Sequence, residues 1–204
     1  MLVSINKNIF KEKRVRQNSR ELLLDSAFKE FYKNGYQGAN IATILKEVNM
    51  NKGSLYHFFK SKKELGLAVI EERIERNLIT KYTEILEKEN RVETLFKVLI
   101  DAPKLLVYGC PLNKMSQEML YIDKDFKKTL SSTYKKFNNS IESILLKGMQ
   151  NNEINRSSAE LTAQLIIATY EGALMIYHLN QNKEQYDQIL TILKKNLFTH
   201  KGSQ

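Results

Sequence analysis

The sequence has one cysteine, two prolines and eight glycines in 204 residues. A single cysteine excludes an intramolecular disulfide framework, and no Cys/His cluster has zinc-ligand spacing. With proline and glycine scarce and Ala, Leu, Lys, Glu and Ile plentiful, the balance favours long helices over sheets. No apolar run approaches the ~18–20 residues that cross a bilayer. The opening stretch MLVSINKNIFKEKRVRQ lacks the apolar core and cleavage site of a signal peptide. These absences point to a cytoplasmic protein with no membrane partner. A glycine-rich phosphate loop, metal-ligand spacing and a nucleophile–base pair are missing too, so neither a cofactor, a metal nor an enzymatic activity is expected.

What is present is a basic end on a near-neutral body. Hydrophobic residues make up 42% of the chain and charged residues 27%, which places it with globular rather than disordered proteins. Residues 1–63 carry 13 Lys/Arg against 5 Asp/Glu, an excess of eight. Residues 64–204 carry 19 against 18, an excess of one. Such a module is what attraction to a phosphate backbone selects, and the plain alternative is a basic tail that aids solubility. Lys52, Lys60, Lys62 and Lys63 lie outside the tail.

The stretch IATILKEVNMNKGSLYHFF, from Ile41 to Phe59, reads as two short helices at a sharp turn. Ile41, Ile44, Leu45 and Val48 recur at helical spacing. Asn49 stands at the turn, where its side chain tolerates a left-handed backbone. Asn51 caps the second helix, in which Leu55 and Phe59 form an apolar face. Lys52, Ser54, Tyr56 and His57 are left on the other faces, and all four are hydrogen-bond donors. An apolar anchor behind a donor-rich face is the pattern of a helix-turn-helix recognition unit.

The remaining chain reads as helices throughout, an all-α fold of about nine. Residues 1–17 form a basic arm with Lys7, Lys11, Lys13, Arg14 and Arg16, either touching DNA or simply frayed. Asn18 or Ser19 is expected to cap the first helix and Gly35 to end it, with Tyr36 tucked beneath. Asn40 caps the second helix. Ser61 and Glu64 make a capping-box pattern at the head of a long fourth helix reaching about Lys88. That rod, ~40 Å at ~1.5 Å per residue, joins the basic module to the body.

A fifth helix starts near Arg91, and Pro103 is expected to bend or interrupt it. A sixth runs from about Leu112 to Tyr121, and a seventh from Asp123 to about Asn151. The eighth, AELTAQLIIATYEGALMIYHLN, is apolar nearly all round and must be covered on both sides. With the ninth, Glu184 to about Leu197, it forms the expected homodimer interface, a four-helix bundle across a two-fold axis.

The run GYQGANIATILKEVNMNKGSLYHFFKSKKELGLAVI closely resembles the N-terminal domain of TetR-type (TetR/AcrR) transcriptional regulators. The resemblance covers about residues 19–70, and NKGSLYHFFKSKKEL is its most specific part. It implies residues 1–63 as a DNA-binding domain and 64–204 as a helical ligand-binding and dimerisation domain. It further implies that Lys52 and Ser54 meet bases or phosphates in the major groove of double-stranded operator DNA. Gly53 lets the backbone come close, Tyr56 and His57 bond phosphate oxygens, and Lys62 and Asn40 meet further phosphates at helix starts. Each has a plainer reading as packing or solvated charge. Asn49 stands where glycine is usual, and Leu45 where a small residue is usual.

The same resemblance implies a pocket for a small apolar effector whose binding releases DNA. Its candidate wall is Phe96, Leu99, Tyr108, Met115, Met119, Tyr134, Tyr170 and Tyr177, with His178 as a titratable neighbour. Such stripes equally describe plain core. Cys110, near a helix start with Lys114 four residues on, either has a lowered pKa and senses electrophiles or is a small buried hydrophobe. The rival is a constitutive architectural DNA-binding protein without a pocket.

Overall fold

A computed structural model describes the backbone of residues 2–198 and the side chains of residues 18–102 and 105–198. The side chains of Lys7, Lys11, Lys13, Arg14 and Arg16 lie outside the described ones. Among the described residues the chain is all-helical, in two compact units, Met1–Arg73 and Ile74–Gln204.

In the first unit α1 spans Leu2–Gly38, so no helix starts at Asn18 or Ser19 as expected. Lys, Arg, Glu and Gln are good helix formers, and nothing in residues 2–17 stops a helix. Gly35 interrupts α1 with φ 75° and ψ 166°, a left-handed φ that glycine adopts without a Cβ penalty. Tyr36 beyond it is buried and packs its ring on Phe31. Helix α2 (Ile41–Glu47) is capped by Asn40, whose side chain accepts from the Ala42 amide. Asn49 takes the turn at φ 52°. Helix α3 (Lys52–Phe58) is capped by Asn51, and α4 (Lys62–Val69) by Ser61. Glu64 completes the box one residue early, its carboxylate accepting from the Lys60 amide at 2.8 Å.

The expected long fourth helix is helical over its length but not uniformly so. A π-helical turn, Ile70–Glu75, separates α4 from α5 (Arg76–Leu86). The wider turn keeps Val69, Ile70, Arg73 and Ile74 all buried. Arg73 is the exceptional one, an arginine 8% exposed. It donates to Asp25 at 2.6 Å and Glu21 at 2.7 Å, both on α1. Its pKa is pulled down by burial, but the two carboxylates outweigh that and hold it above the usual value. Arg20 adds a bidentate pair to Glu72.

In the second unit α6 (Arg91–Ile100) is followed by α7 (Pro103–Tyr108) and α8 (Pro111–Met119). Pro103 thus opens a helix of its own rather than bending the previous one, since the first helical position needs no amide partner. Helix α9 (Lys124–Gln150) is capped by Asp123, and α10 (Ala159–Asn180) by Ser158. Helix α11 (Lys183–Phe198) closes the fold. The core of this unit lies where α9, α10, α5 and α6 meet, around Leu95, Phe96, Phe126, Ile141, Ile144 and Ile166. Arg91 pairs with Glu153, whose other oxygen accepts from the Val92 amide at 3.0 Å. Tyr186 reaches across from α11 to donate to the Leu99 carbonyl at 2.5 Å. No helix among the described residues is long and apolar enough to cross a membrane.

Candidate nucleic-acid interface and cavity

Helix α3 is divided as its spacing requires. Leu55 and the following Phe59 are 1% and 2% exposed and anchor it. Lys52, Gly53, Tyr56 and His57 are exposed, and Ser54 is half-buried. Its amide is taken by the Asn51 cap at 2.9 Å and its hydroxyl by the same oxygen at 3.2 Å. No acid occurs on α3. Gly53 has a local reason: a Cβ there would stand 3.2 Å from the capping Asn51 oxygen.

Two of the expected phosphate contacts are otherwise occupied. Lys62 turns back, donating to the Ala39 carbonyl at 2.7 Å and the Gln37 carbonyl at 3.3 Å, over the Tyr36 ring. It closes the segment between α1 and α2. Asn40 spends its side-chain oxygen on the Ala42 amide at 2.8 Å, and the residue is exposed. Ser26, a residue with no motif around it, bonds both the Ile44 carbonyl and Glu47, fixing α2 on α1. Lys29 reinforces that hold, and with Ser26 it keeps the Glu47 carboxyl below its ordinary pKa.

The second unit contains a cavity of about 340 Å³ between α8, α9 and α10. Its apolar wall is Leu112, Leu120, Leu130, Tyr134, Phe137 and Ile167, and its polar wall is Asn113, Ser116, Ser131 and Glu171. Exposed Ser131 and Tyr134 mark its mouth. Of the ten candidate pocket residues only Tyr134 lines it. Phe96, Leu99, Met115, Met119 and Tyr170 are buried and fill the core instead. Tyr108 is exposed, and Tyr177 is half-buried against Tyr186. His178 brings a ring nitrogen to 3.3 Å from the Leu105 carbonyl, within α7.

Cys110 precedes α8 and is buried, which agrees with the second of its two readings, a small buried hydrophobe, and not with a lowered pKa. Burial first, then the Glu171 carboxylate beside it, push the thiol well above its ordinary pKa. Glu171 is itself pushed up by burial, against hydrogen bonds from Cys110 and Asn113 that favour its charged form. The Asn113 amide is 2.9 Å away. Around them Tyr82, Tyr170 and Tyr186 are also held protonated, chiefly by burial.

Against known proteins, residues 23–69 match the model of bacterial regulatory proteins of the tetR family, and residues 89–193 match the tetracyclin repressor-like C-terminal domain. The chain is 29% identical over 189 residues to an uncharacterized HTH-type transcriptional regulator in the lacX 3′ region of Lactococcus lactis subsp. lactis, covering 87% of this chain and 92% of that one. It is 24% identical over 179 residues to the HTH-type transcriptional repressor DhaR of Mycobacterium sp. (strain GP1), covering 85% and 89%. Among solved structures, the reduced form of E. coli NemR superposes with a TM-score of 0.77 at 22% identity, covering 88% of this chain and 97% of that one. A helix-turn-helix with its donors outward, a helical second unit and family matches over both place this chain in the tetR family of bacterial transcriptional regulators.

Proposed function

We propose that the protein is a homodimeric repressor that holds double-stranded operator DNA with α3 and releases it when a small apolar molecule fills the cavity between α8, α9 and α10. The carrying observation is the division of α3 into buried Leu55 and Phe59 and outward Lys52, Gly53, Tyr56 and His57. Lys52 and Ser54 face the groove, Tyr56 and His57 bond phosphates, and Lys62 and Asn40 lie at the rim. Repression is the direction named for the DhaR relative. The second copy covers the outer face of α10 and α11, where Leu161, Leu165, Met175, Leu179 and Ile192 are 54–79% exposed. Leu161 and Leu165, and Met175 and Leu179, each four apart on α10, form with Ile192 of α11 an exposed apolar surface of the kind that marks an interface.

In the dimer the two α3 helices stand about 34–36 Å apart, one duplex turn. Ligand in the cavity favours the form with the wrong spacing, and by linkage DNA weakens ligand binding by the same factor. The buried, protonated state of Cys110 speaks for an apolar effector and against thiolate chemistry. Selection from random duplexes tests the DNA side: a pseudo-palindrome with half-sites one turn apart is expected. Recovery of no sequence preference would remove the operator reading and leave a non-specific DNA binder.

A further inference from the structure

The cavity carries one charge, and it is negative. Glu171 is the only ionisable acid or base on the wall apart from the Tyr134 phenol; no Lys, Arg or His lines it. Its carboxylate is met by the neutral Asn113 amide and the Cys110 thiol, and among the described residues it forms no ion pair. The rest of the wall is uncharged: hydrocarbon, the Tyr134 and Phe137 rings, and the side chains of Asn113, Ser116 and Ser131.

A carboxylate withdrawn from water without a cation is an unfavourable arrangement that a cationic ligand relieves. Aromatic faces beside it favour the same sign, since ring quadrupoles attract cations. An anionic ligand is disfavoured twice, by repulsion from Glu171 and by the lack of any basic residue to receive it. A volume near 340 Å³ sets the body at the small end of ligand sizes.

We infer that the effector of this cavity is a small organic amine: an apolar body against Leu112, Leu130 and Ile167 with its protonated nitrogen on Glu171. This deepens the reading of the cavity as an effector site and rests on it. The raised pKa of Glu171 agrees with a carboxyl that lacks its counter-charge.

The test uses three compounds of one skeleton, 4-phenylbutylamine, 4-phenylbutan-1-ol and 4-phenylbutanoate, titrated calorimetrically into the full-length protein at fixed ionic strength. The amine should bind roughly tenfold or more tightly than the alcohol, the increment of a charge-assisted hydrogen bond, and the acid should bind most weakly. In Glu171→Gln the amine should fall to the level of the alcohol, with the alcohol unchanged. Should that variant fail to fold, Glu171→Asp keeps the charge but withdraws it, and should weaken the amine several-fold and spare the alcohol.

If the alcohol binds and the amine is no better, or the acid binds as well as the amine, the inference is overturned while the cavity stands. An amine preference that survives both substitutions overturns it too. If none of the three binds and Ile167→Phe, which fills the cavity, leaves DNA release by every tested compound unaltered, the effector site itself is lost and the inference with it.

Discussion

The two units place their polar chemistry on opposite sides of the surface. Among the described side chains of the first unit, residues 18–73, the charged ones lie at the outside or in clamps between helices: Arg73 to Asp25 and Glu21, Arg20 to Glu72, Lys29 to Glu47. Its donor face on α3 is left open to water. In Ile74–Gln204 a carboxyl, a thiol and three phenols are drawn inside, where burial raises the pKa of each, and a broad apolar stripe is turned outward. A surface meant for a polyanion needs exposed donors on a firm backing. A cavity meant for a small molecule needs a few polar atoms in a dry wall.

That contrast can be broken in several ways. The largest effect is expected from Phe59→Ala, which empties the anchor under α3 and should cost the first unit about 3–5 kcal/mol in denaturant titration. DNA binding should be lost with it. Next, Arg73→Ala strips the clamp on α1. The carboxylates left behind are 39% and 56% exposed and can be hydrated, so the loss should be about 2 kcal/mol rather than the full cost of a buried orphan charge.

In the second unit, Gly148→Ala brings a Cβ to 2.5 Å from Val92, a buried branched side chain with little room. Overpacking of about 1–3 kcal/mol exceeds the roughly 1 kcal/mol gained in helix propensity, and Val92→Ala in the same chain should restore part of the loss. An unchanged melting temperature for the single variant would show that α6 and α9 can part.

Glu171→Gln sharpens the contrast through pH. A carboxyl whose folded pKa is raised binds its proton more tightly in the folded state. Its contribution is therefore complete below the ordinary carboxylate pKa and lost as pH rises through the raised one. The wild type should lose stability across that window relative to the Gln variant, in paired melts from acid to neutral pH. Cys110 and Tyr82, Tyr170 and Tyr186 surround the site but stay protonated throughout, because burial raises them all. The smallest effect on folding is expected from Lys52→Ala, within about 0.5 kcal/mol. On duplex DNA the same change should reduce the slope of log affinity against log salt by about 0.9. An unaltered slope would take Lys52 off the phosphates.

Much of this was legible in the residues, because helix ends are written in local chemistry. Asn40, Asn51, Ser61 and Asp123 each cap the helix their position announces, and Asn49 and Gly35 adopt the positive φ their types permit. The start of α1 was not legible, since residues 2–17 contain no stop signal and read equally as helix or arm. Nor was the π-helical turn Ile70–Glu75, which no residue type in it announces.

The cavity wall was the least legible part. Periodicity marks which side chains face inward but not which of them meet an atom and which meet a gap. Met115, Met119 and Tyr170 met atoms; Leu120, Leu130 and Ile167 met the gap. Glu171 and Glu160 are the two acids on α10. The value of Glu171 as a signal is that an acid on so apolar a helix needs a reason to be there.

The uncovered row on α10 has a practical consequence for anyone handling the chain. With a second copy seated on Leu161, Leu165, Met175 and Leu179 as proposed, the melting point would depend on how much protein is in the tube, and dilution should lower it.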